Sequence, residues 1–367
     1  MVLPRTLTRR ELNRAALSRQ LLLERAAASP AEAVEHLVGL HAQLPQNPYT
    51  ALWSRVEDFD ADAFSRQMEE RSIVRISLQR STIHTVTARD CLALRPVLQV
   101  PQDRTLKSAF GRNLQGVDVD KAAERAREMV RERPMTFAEI GEELLAEWPG
   151  SDARSLGMVA RHRLPMVQVP PRGLWRQGGA ARHTTAEHWL SAPIERDDAP
   201  DGLVMRYLAA FGPASVKDVQ AWCGLTRLRE VVDRHRDELV VFRDEDGSEL
   251  FDLPDAPRPN PDTPAPPRFL PEFDNVVLGY KDRRRILPDE AGGHLWPGRN
   301  IVRSALLIDG FVGGTWALTT DTKQACATLE VSPFVELSGP QHDALATEAA
   351  RFLAFHAPES EGTVIGL

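Results

Sequence analysis

Three times in the first 253 residues, a run of amphipathic helices gives way to two β-rich segments around a polar turn. That order constrains the fold more than composition does. A helical period that repeatedly switches to a strand period makes helix–hairpin units, not one continuous bundle or sheet. In the first unit Thr6 or Thr8 caps a helix over 6–23, with Glu11 three residues after Thr8 as in a capping box. Pro30 opens a second helix, which small and apolar residues carry to Gln43 before Pro45 stops it. Helices over 50–56 and 60–70 follow, then hairpin arms over 73–78 and 82–86. The second unit reads as helices over 120–131, 136–148 and 152–164. Its hairpin arms are 166–169 and 174–177, around Pro170, Pro171, Arg172 and Gly173. The third has helices over 201–211, 215–223 and 226–235, and arms 239–243 and 249–253 across Asp246-Gly247, a strong hairpin signal.

Helices followed by a hairpin are the winged-helix pattern. The units share the order of their elements, not their sequence. Seven prolines in 254–268 mark a linker or surface crossing. Beyond it, 275–280, 304–308 and 313–318 read as strands, Asp309-Gly310 as a tight turn and 340–356 as a closing helix. The expected fold class is α+β: three tandem winged-helix motifs plus a C-terminal mostly-β domain. The segments are 1–116, 117–197, 198–256 and 257–367.

The formal net charge is −7, which argues against a surface coated with nucleic acid through bulk charge. The distribution says more. Residues 153–182 hold six arginines and no acid, and 71–89 hold four arginines and no acid, as a locally basic groove would. The cysteines, Cys91, Cys223 and Cys326, are far apart, which argues against a zinc site or disulfide framework and fits a reducing cytosol. No apolar run is long enough for a membrane span, and the N-terminus lacks the apolar core of a secretory signal. No segment suggests dimerisation. The expectation is a cytoplasmic monomer that needs no cofactor or metal.

His41 and Gln43 lie two apart where the second helix ends. By spacing alone they read as a frayed helix end with two solvated side chains. At an unwinding terminus the same pair can point into one cleft, hold a water and accept its proton.

The stretches 37–43 (LVGLHAQ), 80–90 (RSTIHTVTARD), 169–175 (VPPRGLW), 270–283 (LPEFDNVVLGYKDR) and 309–316 (DGFVGGTW) occur in order over nearly the whole chain. Through them the chain resembles the AlkZ/YcaQ superfamily of winged-helix DNA glycosylases. The resemblance implies a concave, basic DNA channel formed by the winged helices and the C-terminal domain. It implies double-stranded DNA carrying alkylated guanine as partner. The reaction implied is release of N7-alkylated bases, including bulky natural-product adducts and interstrand crosslinks. Family members commonly carry Gln-x-Gln or Gln-x-Asp where this chain has His41-Ala42-Gln43; a His at the first position resembles one branch of the AlkZ-like proteins, associated with self-resistance to DNA-alkylating metabolites. Gln43 would hold the water and face the developing positive charge, and neutral His41 would take the proton. The motif holds no lysine for a Schiff base, so a monofunctional glycosylase is expected. Arg75, Arg80, Ser81 and Thr82 on the first hairpin, with Arg172, Trp175 and Arg176 on the second, would hold DNA. Asn47 and Tyr49 would line the catalytic cleft, and Arg283 would touch backbone. His84 reads as a structural histidine. A winged-helix transcription regulator without catalysis is the alternative for the same elements.

Overall fold

Capping chemistry sets the first elements. In the computed structural model, which describes residues 4–298, 302–321 and 323–367, Thr8 and Glu11 form a reciprocal capping box for α1 (Arg9–Arg19), and Ser29 and Glu32 do the same for α2 (Pro30–His36). A two-residue strand β1 (Leu40–His41), helices α3 (Asn47–Trp53) and α4 (Ala61–Glu69), and the hairpin β2 (Ile73–Ser77) with β3 (Ile83–Thr87) complete the first unit. Two helices that the sequence reading did not assign, α5 (Ala88–Val97) and α6 (Gln99–Phe110), lead to α7 (Val119–Glu132), α8 (Phe137–Leu144) and α9 (Ala153–Arg163). Strands β4 (Met166–Gln168) and β5 (His183–Thr185) and helix α10 (Ala186–Leu190) follow. The third unit is α11 (Asp201–Phe211), α12 (Val216–Cys223), α13 (Leu228–Arg234) and the hairpin β6 (Val240–Arg243) with β7 (Glu249–Asp252). The last segment contains β8 (Arg268–Leu270), α14 (Asn275–Leu278), α15 (Gly292–Leu295), β9 (Ser304–Ile308), β10 (Phe311–Asp321), β11 (Cys326–Pro333), α16 (Gly339–His356) and β12 (Glu361–Ile365).

Three expectations fail for local reasons. The second helix stops at His36, not Gln43. Val38 and Gly39 adopt φ of 57° and 90°, their N–H groups close on Glu35 and Val34 carbonyls, and the chain leaves extended. The second hairpin returns through 183–185, not 174–177. At Gly173 φ is +102°, and a Cβ there would stand 2.5 Å from the Arg75 Cδ, so the chain turns away from β4. Residues 275–278 are helical despite their β-branched valines, because Asp274 accepts from the Val276 N–H and caps the turn. The β6–β7 hairpin and the Asp309-Gly310 turn form as expected.

The hairpins of the first two units do not stand apart. They join in one five-stranded sheet of order β1-β3-β2-β4-β5. A second sheet, β12-β11-β10-β9-β8, makes the C-terminal layer. One core joins the first and third units to the C-terminal segment through Leu17, Ile76, Tyr207, Phe211, Trp222 and Leu307. Another packs α3 and α4 against the C-terminal sheet and α16 through Trp53, Phe64, Phe269 and Phe352. Helices α6 to α9 have a core of their own, with Leu106, Ile140 and Leu156. The proline-rich crossing is strapped to α1: Arg10, Arg14 and Arg19 donate to the carbonyls of Pro261, Thr263 and Pro257.

Candidate active site

The turn at Val38-Gly39 delivers residues 40–43 to the open edge of the first sheet. Gly39 is required there: a Cβ would lie 2.7 Å from the Val86 Cγ1. His41 pairs with His84 in register, the Ala42 N–H donates to the Ile83 carbonyl at 2.8 Å, and the Gln43 Oε1 accepts from the Ile83 N–H at 3.5 Å. His41 thus lies in a strand, not at an unwinding helix end; Gln43 lies just past that strand, in an exposed bend, and does not line the cavity beside His41. Asn275 fixes the segment from the other side. Its Oδ1 accepts from the His41 N–H at 3.2 Å and its Nδ2 donates to the Gly39 carbonyl at 2.6 Å. Asp274, next in sequence, is held by Arg55 through two hydrogen bonds of 2.9 and 2.7 Å, both groups buried.

The His41 ring sits 5.1 Å from Phe273 and 5.5 Å from His84, edge-on to the latter. Burial, then the charge of Arg80, pushes its pKa down to about 4, against the opposing pull of Asp274. It is neutral at pH 7, and its buried Nδ1 has no partner among the described residues. His84 is held well below its ordinary value by burial, and its Nδ1 meets the Thr82 carbonyl at 3.0 Å. A small cavity beside His41 leaves about 10 Å³ for a water centre, the lower limit for one water molecule. Gly39, Gln79, Arg80, His84, Trp222, Phe273, Asn275 and Leu278 complete its lining. The lining contains no carboxylate and no lysine. Among the described residues no group of three or more His, Cys, Asp or Glu is placed to hold a metal ion.

Three of the expected DNA contacts turn inward. Arg75 is 2% exposed and donates to the Gln168 side chain and to the carbonyls of Ala42 and Pro45. Tyr49 is fully buried, with its hydroxyl donating to the Gly173 carbonyl and bonded to Ser65. Ser81 donates to the Pro101 carbonyl and meets Thr105. These side chains brace the hairpin and the 170–177 loop, so none is free for a phosphate. Thr82 bonds back to the Gln79 carbonyl. The others fall into two groups. Arg80 lines the His41 cavity and also a neighbouring cleft with Arg283. Asn47, Trp175 and Arg176 line a larger cleft of about 900 Å³ between α3, the 170–177 loop and the C-terminal sheet. Arg172 lies apart, half-buried, donating to the Gly179 carbonyl. The large cleft and the His41 cavity have no lining residue in common; Glu272, whose carbonyl accepts from Asn47 at 2.7 Å, lines the former, and the adjacent Phe273, packed on His41, lines the latter. The sequence reading missed Phe273 and Asn275 as site residues. They lie in a quoted stretch, but nothing local shows that it meets His41 across more than 230 positions.

No helix among the described residues is long and apolar enough to cross a membrane. No curated protein sequence matches the chain. Among solved structures, the Streptomyces sahachiroi DNA glycosylase AlkZ superposes with a TM-score of 0.78 at 21% identity, covering 98% of this chain and 99% of that one. At that identity the likeness concerns the fold. The model of the DNA glycosylase AlkZ-like family matches residues 34–355, a span that includes β1, its Asn275 clamp and strands β8 to β11 of the C-terminal sheet; the chain belongs to the AlkZ-like DNA glycosylase family.

Proposed function

We propose that this glycosylase hydrolyses the N-glycosidic bond of N7-alkylguanine in double-stranded DNA, with His41 and Gln43 as its catalytic pair. The observation that carries the reading is the chemistry of the cavity. It offers a neutral imidazole whose Nδ1 has no partner among the described residues, with Gln43 two residues on in an exposed bend outside the lining. It offers neither an acid to protonate a leaving base nor an amine to form a Schiff base. Such a site suits a base that already carries positive charge and leaves unaided. The residues need only place a water near C1′, accept its proton and face the oxocarbenium-like sugar with a partial negative charge. The same composition favours a monofunctional enzyme. The 900 Å³ cleft, lined by Glu272 next to Phe273 in sequence, would leave room for a bulky substituent on the guanine, the class of lesion made by DNA-alkylating natural products; crosslinks are the second substrate class. The three helix–hairpin units with the C-terminal sheet would form the channel that holds the duplex.

Single-turnover base release from a duplex bearing one N7-alkylguanine tests the reading. His41→Ala with Gln43→Ala should lose about 10²–10⁴-fold in rate while binding the duplex as before. A neutral damaged base in the same duplex should be released poorly. The wild-type rate should hold as pH falls from 7 and drop only where His41 charges, which in the free protein is at about 4. Full activity in the double variant overturns the assignment of His41 as proton acceptor.

A further inference from the structure

An unpaired guanidinium next to a cation-forming reaction calls for an explanation. Arg80 lines the His41 cavity, where the sugar would acquire positive charge. Its Nη1 donates to the Trp222 carbonyl, and no carboxylate among the described residues stands within ion-pair distance. The residue is also held in a costly backbone state. Arg80 and Ser81 have consecutive positive φ values of 51° and 60°, each disfavoured by roughly 1 kcal/mol or more outside glycine. Strain of this kind persists because other groups fix it. Gln79 donates to the Val38 carbonyl at 3.0 Å, Ser81 to Pro101 at 3.1 Å, and Arg161 to the Ser81 carbonyl at 3.1 Å. The hairpin tip is thus clamped so that Arg80 faces inward.

The second cation is Arg283. It lies over the Trp296 ring at 5.0 Å and shares with Arg80 a cleft of about 680 Å³. The carboxylates nearby are spent or peripheral. Asp282 binds Arg284 at 2.6 Å, and Arg284 also reaches Asp246. Asp289 is the remaining acid of the lining, on an exposed turn. Lys281 adds a third positive group. The cleft opens beside the His41 cavity, since both include Arg80 and Leu278.

We propose that Arg80 and Arg283 jointly seat one backbone phosphate of the bound DNA, and that Arg80 is the positioning residue through which this phosphate reaches the His41 water site. The inference rests on the DNA-glycosylase reading above. Two guanidiniums converging on one anion match the geometry by which arginines hold phosphate. The seat has a second consequence. In the free protein the charged groups that face His41 are Arg80, which opposes protonation, and Asp274, which favours it but is neutralised by Arg55. The remaining neighbours, His84, Asn275, Gln79, Trp222 and Phe273, are neutral. A phosphate on Arg80 removes the opposing charge. His41 then becomes a better proton acceptor, and a cationic sugar is tolerated, only when DNA occupies the seat.

Salt dependence separates a shared phosphate from two separate ones without requiring any chemistry. Binding of an undamaged duplex is measured against salt concentration for the wild type, Arg80→Gln, Arg283→Gln and the double variant. The double variant should lower the log–log slope by about 0.9, the value for one phosphate, and neither single variant by more than that. A double variant with an unchanged slope, or one lowered by about 1.8, overturns the proposal. The His41 imidazole is then titrated by NMR with and without the undamaged duplex. In the wild type, and in Arg80→Lys if Arg80→Gln folds poorly, the midpoint should rise from about 4 on DNA binding. In Arg80→Gln it should start higher and stay there. A wild-type midpoint that DNA leaves unmoved overturns the coupling. Neither readout requires base release, so loss of the N7-alkylguanine reading would show separately, in the single-turnover assay.

Discussion

One carboxamide, that of Asn275, binds the strand carrying His41 to the helix α14, and it satisfies two buried backbone groups in doing so. Asn275→Ala leaves the His41 N–H and the Gly39 carbonyl without partners. Each unsatisfied buried group costs about 1–3 kcal/mol, so the variant should lose several degrees of Tm. It should also lose base release in excess of the stability loss, since His41 is no longer held against Phe273. Thermal denaturation and single-turnover kinetics on the same sample check both. Equal activity per folded molecule would show that Asn275 serves stability alone. At this scale the sequence indicated His41 and Gln43 but not their clamp. It also assigned Arg75 and Tyr49 to DNA, although their polar atoms are engaged inside the protein. A side chain's chemistry is legible in one position; whom it bonds is not.

Among the elements, the decisive one is the break after α2. The carboxyl end of a helix would have splayed His41 and Gln43, because residues two apart do not share its face. The Val38-Gly39 turn makes a strand instead, which pairs His41 with His84 and leaves Gln43 in an exposed bend just beyond it. Gly39→Ala would force a Cβ to within 2.7 Å of the Val86 side chain and 3.3 Å of the Thr85 carbonyl at φ +90°. A destabilisation of about 1–3 kcal/mol is expected, with loosened pairing of β1 to β3. Urea denaturation and hydrogen exchange at the Ala42 amide read these two effects. Local signals gave the capped helices and the 240–252 hairpin, since a capping box or an Asp-Gly turn acts within a few residues. They did not give β5, whose partner β4 lies beyond the 170–182 loop, nor α14, where a cap overrides valine's strand preference.

Across the whole molecule, burial holds several histidines neutral. It lowers His41 and His162 to about 4, His183 and His356 to about 3, and His84 well below its ordinary 6.5. Because these folded values are depressed, the unfolded chain binds more protons below about 6.5. Their contribution to stability is fully present above that pH and is lost as pH falls through about 4 to about 3. Urea midpoints should therefore fall from about pH 7.5 to about pH 5 by more than carboxylates alone would give. His183, with both ring nitrogens unpartnered among the described residues and the ring stacked 4.0 Å from Phe137, should contribute visibly. His183→Leu should flatten the pH dependence, and an unchanged slope would sink the account.

The sequence by itself determined the helix–hairpin alternation, the α+β class, the acid-free arginine windows and the two residues on which the proposed chemistry rests. Each of these depends on periodicity, caps or residue type within a short window. Tertiary structure decided the rest. It merged two hairpins into one sheet and brought Asn275 and Phe273 to His41. It turned Arg75 inward and, among the described residues, left Arg80 without a carboxylate beside the His41 cavity. Those outcomes depend on contacts between segments far apart in the chain, where packing volume and hydrogen-bond satisfaction select the partner and no local preference does.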